Sequence, residues 1–250
     1  MPRVVLPDRP RPPVTPAAPV TPGPHASLLI SLQLADPGFP GGMCNPAYEW
    51  DCLVRPGQVD RAGLGPLLHT LLRQGVGPSD ATALALAHAA ASDGCWGEVA
   101  EIDERLYAAK LGREQRAAAT RAGRGMLDTG RAVFPSEAVE EFAALVARRE
   151  APGNRAVVSA VIQAGAGVPR QQAVSAELFA FCAAFAAAAR RTGTADHGAA
   201  QLLLRGAAPV IEEVTADALC RELADLGGCV PAAQALSGTS GGAPAPAPAH

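Results

Sequence analysis

Aromatic residues are scarce in this chain: six Phe, two Trp and two Tyr make up 4% of its 250 residues. That scarcity disfavours a sandwich of aromatic and β-branched strands and leaves Ala, Leu and Val to build a core of closely packed helices. Lysine is nearly missing, Lys110 being the only one. With 21 basic against 24 acidic residues and a net charge of -3, neither a nucleic acid nor an anionic membrane surface is favoured as a partner. The longest uncharged apolar stretch, Leu178 to Ala189, is too short to span a bilayer. Prolines interrupt the N-terminus where the apolar core of a signal peptide would stand, so the cytoplasm is the expected compartment. No CxxC or HxxxH pair marks a zinc site, and the six cysteines are expected as reduced thiols.

Proline is plentiful, and its placement divides the chain. Nine of the 23 prolines fall between Pro2 and Pro24, and three alternate with alanine from Pro244 to Pro248. Segments 1–26 and 236–250 therefore read as disordered tails, and 27–235 as the folded domain. Inside it, apolar residues recur with the period of a helix. Leu64, Leu67, Leu68, Leu71 and Leu72 form one stripe, Val99, Ile102 and Leu106 another. Val174, Leu178, Phe181, Cys182 and Phe185 form a third, Val210, Ile211 and Val214 a fourth. Breaks are expected at Gly75, Gly77 and Pro78, at Pro135–Ser136, at Pro152–Gly153, and from Gly165 to Pro169. The reading is an all-α, single-domain bundle of about eight to ten helices.

No enzyme signature is present. A P-loop, a GxGxxG after a strand and a GxSxG elbow are all missing. His69 and His88 read as structural, Cys182 as a small core residue, and Asp196 beside His197 has no nucleophile near it in sequence. Two segments stand out instead. Asp36-Pro37-Gly38-Phe39-Pro40-Gly41-Gly42 is a tight loop leading to Tyr48, Glu49 and Trp50, either a packing loop or a contact for a partner. Further on, Arg113, Arg116, Arg121, Arg124 and Arg131 crowd one helix of an acidic protein. They form either a solvated, salt-bridged face or a docking surface. Gly123 and Gly125 each cost that helix about 1 kcal/mol relative to alanine, which the close approach of another helix would offset.

In this order, these segments resemble the UreF family of urease accessory proteins. The resemblance rests on Leu32 to Pro37, Phe39-Pro40-Gly41-Gly42, Ala47-Tyr48-Glu49-Trp50, Glu114-Gln115-Arg116, Gly123-Arg124, Ala186 to Arg191, Gln201, and Leu202 to Val214. It covers about residues 27 to 215. The chain departs from the family at Met43-Cys44-Asn45-Pro46, where Phe-x-His-Ser is usual, and at Ala47-Tyr48 and Thr194-Ala195.

The resemblance implies an all-helical cytoplasmic scaffold with no catalytic activity and no cofactor. Such proteins dimerise and bind UreD (also called UreH); that complex recruits the GTPase UreG and the urease apoprotein for nickel delivery. It implies partner-binding roles for Phe39, Pro40, Gly41, Gly42, Tyr48, Glu49, Arg116, Gly123, Arg124, Arg191 and Gln201. The competing reading is a helical metallochaperone holding nickel through Cys44, Cys52 and a histidine.

Overall fold

Segments rich in Ala, Leu, Glu and Arg fold as α-helices, and glycine, proline and capping residues end most of them. The computed structural model describes residues 25–40, 50–54 and 57–228, and every regular element among them is helical. In chain order these are α1 (Ala26–Ala35), α2 (Trp50–Leu53), α3 (Leu64–Thr70), a π-helical segment (Leu71–Ala81) and α4 (Thr82–Ser92). Next come α5 (Trp96–Ala109), α6 (Arg113–Val133), α7 (Glu137–Ala147), α8 (Arg155–Gly165), α9 (Arg170–Arg191) and α10 (His197–Cys220). A single 3-10 turn, Leu223–Asp225, follows. The proline-rich segments 1–24 and 229–250 lie outside the described residues.

The apolar stripes read from the sequence are the buried faces. Leu64, Leu68, Leu71 and Leu72 are fully buried with Leu67 half-buried, and Val99, Ile102 and Leu106 line the inner side of α5. All five stripe residues of α9 are buried, as are Val210, Ile211 and Val214 of α10. At the centre stands α8. Every residue from Arg155 to Gln163 is buried, because α4, α6, α7 and α9 surround α8 and cover even its polar Arg155, Ser159 and Gln163. Its neighbour α9 is, by length and composition, a helix that could cross a membrane, although the uncharged stretch within it is short. More than half of its apolar window is covered by the rest of the protein, as in the core helix of a bundle.

One expected break is not a break. Gly75, Gly77 and Pro78 do not separate two helices: the backbone stays helical from Leu64 to Ser92, widening into the π form around them. Proline has no N–H to donate and its ring collides with the carbonyl four residues back in an α-helix; a wider coil avoids both problems. Carbonyls along the widened stretch take further donors from outside its backbone pattern. Ser79 Oγ donates to the Gly75 carbonyl at 2.8 Å, Thr82 Oγ1 to that of Gly77 at 2.9 Å, and the Gly227 N–H to that of Pro78 at 2.9 Å. Gly77 also lets α10 come close, since a Cβ there would lie 2.6 Å from a methyl of Val214.

Candidate functional site

Helix α6 has two unlike faces. Its inner face carries Gly123 and Gly130, two turns apart, pressed against α8 and the turn before it. A Cβ on Gly123 would stand 1.9 Å from the Gly153 carbonyl oxygen and 3.0 Å from the Arg155 nitrogen. This close approach offsets the helix-forming cost of Gly123. On the other face the arginines do three different things. Arg116 turns inward: its Nη1 donates to the carbonyls of Lys110 and Leu111, and its guanidinium lies 5.7 Å from the centre of the Tyr107 ring. Arg131 grips Glu140 of α7 with two hydrogen bonds. Arg124 is exposed and has no hydrogen bond or ion pair among the described residues. Of the solvated, salt-bridged face, Arg131 shows the ion pair and Arg124 the exposure without one, while Arg116 departs from it.

Arg124 looks over an open groove of about 680 Å³ between α5, α6, α7 and the turn into α8. Leu127, Ala143, Val146, Ala151 and Pro152 give it an apolar floor. Glu104, Asp128, Arg131 and Arg149 stand at the rim with Arg124. Arg149 has a φ of 62°, the one positive φ outside glycine among the described residues. A left-handed backbone costs a residue with a Cβ about 1–2 kcal/mol. Arg148 reaches past it to hold Glu150 through two bonds of 2.9 Å, and the Arg149 guanidinium has no partner among the described residues.

Behind the groove lies a set of buried charges that sequence reading missed. Asp103 of α5 accepts from the Gly153 N–H at 2.6 Å, the Asn154 N–H at 2.9 Å and the Asn154 Nδ2 at 2.7 Å. Burial nevertheless pushes its carboxyl from 3.8 up to about 6 against those hydrogen bonds. Arg155, next along the chain, pairs with Glu177 of α9, and burial brings its guanidinium down to about 10. Lys110 meets Asp80 of the π-helical segment at 3.0 Å. Burial works to raise Asp80, but the Lys110 ammonium and then the charge of Arg155 hold it below the usual carboxylate range. The turn 149–154 is thus anchored from α5, α6 and α8. Tyr107 and Glu104 face the groove from the same α5 that supplies Asp103, so wall and anchor form one unit.

Phe39 is buried against Phe134 at the end of α6, with ring centroids 6.3 Å apart, so the loop begins by packing. Pro40 is exposed. Gly41, Gly42, Cys44, Tyr48 and Glu49 lie outside the described residues, as does the side chain of Cys52. Arg191, at the end of α9, donates to Asp51 of α2 at 2.8 Å, and Gln201 is exposed on α10. Asp196 caps α10 by accepting from the Ala199 N–H at 2.7 Å; His88 lies 2.8 Å from the Val168 carbonyl, and burial lowers its pKa. Burial pushes the Cys182 thiol up to about 12, as for an inert core residue. No group of three His, Cys, Asp or Glu residues among the described residues is arranged to hold a metal ion.

Comparison with known proteins gives these surfaces a context. The UreF family profile matches residues 59–208, more than half of the chain. The chain belongs to the UreF family. A urease accessory protein UreF of Arthrobacter sp. is 32% identical over 180 residues, covering 72% of this chain and 77% of that protein. Its namesake in Agrobacterium fabrum is 32% identical over 204 residues, 81% of this chain and 86% of its own, and that of Azorhizobium caulinodans 29% over 208, 82% and 88%. The matched region of this UreF chain runs from just before α3 into α10 and includes the whole groove. Arg116 ties α6 to the end of α5 and Gly123 lets α6 pack on the turn before α8, whereas Arg124 is exposed. Arg149 escaped the sequence reading; its only trace there is a helix that stops before Pro152–Gly153 with arginine, not glycine, at the turn.

Proposed function

We propose that this chain is a non-catalytic assembly factor for urease, acting in the cytoplasm as a dimer in complex with UreD (UreH). In that role it presents the GTPase UreG to the urease apoprotein and governs how GTP hydrolysis is coupled to nickel delivery. Nickel is cargo here. The observation that carries this reading is the family match over 59–208, together with relatives named urease accessory protein UreF that are about as long as this chain. An outward surface rich in unpaired arginines, on a bundle whose interior is closed by packing, fits a protein that works through its exterior.

Within this reading Pro40, Gly41, Gly42, Tyr48, Glu49, Arg124, Arg191 and Gln201 contact partners, and Phe39, Arg116 and Gly123 hold those surfaces in place. Co-expression of the chain with urease subunits and the other accessory proteins tests it. Omitting the chain should leave urease low in nickel and in activity, and restoring it should recover both. Urease that loads equally well without it refutes the proposal. Pull-downs with Glu49→Ala and Arg124→Ala address the site: undiminished capture of both UreD and UreG by each variant would reject those contacts.

A further inference from the structure

The outer face of α10 carries two charges that the fold leaves unmatched. Its Glu213 holds Arg73 and its Asp217 holds Arg221, but Arg205 and Glu212 have no hydrogen bond or ion pair among the described residues. Both are exposed, and neither has an opposite charge three or four positions away along the helix. They stand seven residues apart on one stripe, one positive and one negative. Their midpoint falls between Ala208 and Pro209, and so does the midpoint of α10 itself, His197–Cys220. The residues around that point are ones the interior does not require. A Cβ on Gly206 would meet nothing within 4 Å, unlike one on Gly77 or Gly123, and Pro209 is exposed within the helix. Each weakens the helix, Pro209 because it has no N–H for the Arg205 carbonyl. On the same face Leu202 is 70% exposed, more than any other large apolar side chain among the described residues.

We propose that two copies of this chain meet through the outer face of α10, the two helices packed antiparallel about a two-fold axis at Ala208–Pro209. Charge complementarity selects a second copy as the occupant. An axis there sets Arg205 of each copy opposite Glu212 of the other, so one face satisfies itself twice, as a symmetric interface must. A parallel pairing would instead set like charges side by side. The antiparallel arrangement also overlaps the helices along their whole length, about 36 Å. At its centre Gly206, Ala208 and Pro209 keep the surface low enough for a second helix to approach closely. Leu202 then lies beside Ala216 of the second copy, a small exposed residue that leaves room for it. The dimer itself belongs to the assembly-factor reading, on which this inference rests; the face, the orientation and the charge pairs are what α10 adds.

Sedimentation velocity of the full chain over a concentration series tests this. The unaltered chain should dimerise. Arg205→Glu and Glu212→Arg should each weaken self-association at least about tenfold, because each sets like charges opposite one another at both ends of the interface. Mixing the two variants should restore a dimer, since each then offers the charge the other lacks, and combining both changes in one chain should restore it as well. Leu202→Ser should weaken association severalfold. All these positions are exposed, so thermal melts should stay close to that of the unaltered chain. A dimer indifferent to both single reversals overturns this face and leaves the assembly-factor dimer to another surface. Variants that weaken association but are rescued neither by mixing nor by the double change overturn the antiparallel pairing. A chain that stays monomeric at every concentration overturns the inference outright. Nickel loading of urease, with and without the chain, decides the assembly reading independently of all three.

Discussion

Charges in two neighbouring regions obey opposite rules. Behind the groove, Asp80, Lys110, Arg155, Glu177 and Asp103 are largely buried, and all five have partners on distant segments. In front of it, Arg124 and Arg149 are exposed and have none among the described residues. Inside, a charge survives only if it is matched, so the inner set ties the π-helical segment, α5, α8 and α9 to one another. Outside, water pays for an unmatched charge, so an arginine can be kept free for something that arrives later. One set is committed to the fold; the other is held in reserve.

Several substitutions should break that contrast or sharpen it. Glu177→Ala leaves Arg155 buried without its partner and should cost about 3–5 kcal/mol in chemical denaturation. Replacing both members, as Arg155→Met with Glu177→Leu, should recover most of that loss. Gly123→Ala forces a methyl into the Gly153 carbonyl and should cost about 1–3 kcal/mol by the same measurement, with α6 shifted off α8. Arg149→Gly relieves a left-handed arginine and should gain about 1 kcal/mol.

Acidity probes the inner set directly. The folded-state pKa of Asp103 is raised from 3.8 to about 6, so between those values the folded state holds more of its proton than the unfolded chain does. Stability relative to Asp103→Asn should therefore fall as pH climbs through that window and level off above it, which thermal melts at stepped pH will show. The opposite slope would mean that the three N–H donors outweigh burial. The smallest effect is expected on the outer side, where Arg131→Ala should leave the melting curve almost unchanged because Arg131 and Glu140 are both half exposed.

Much of the helical plan was legible in the sequence because it is periodic and local. The stripes of Leu64 to Leu72 and Val174 to Phe185 are the core, and Ser136 starts α7 with its hydroxyl oxygen accepting from the Val139 N–H at 3.3 Å. Spacing alone could not distinguish the arginines of α6. Arg116 and Arg124 look equivalent along one helix, and only the packing of Tyr107 and the Lys110–Leu111 carbonyls draws the first inward. Nor does periodicity register pairs such as Asp103 with Asn154, 51 positions apart. Gly75, Gly77 and Pro78 carry the usual marks of a break, and the widened coil depends on Val214 and Gly227, which lie far along the chain. The loop residues Gly41, Gly42, Tyr48 and Glu49 fall outside the described residues, so their roles stand on the resemblance alone.

The widened coil also fixes an angular phase. It sets the rotation at which α4 leaves α3, and so the side on which His88 finds the Val168 carbonyl and Leu84 finds the interior. Deleting a single residue between Leu71 and Ala81 would disturb that phase, and with Pro78 in place the stretch could not tighten into an ordinary α-helix without a clash. It would also change the angle at which α4 leaves the stretch, swinging its inward residues away from the interior. Insertions and deletions in this stretch should therefore be tolerated far less well than substitutions, as with the toothing of a gear.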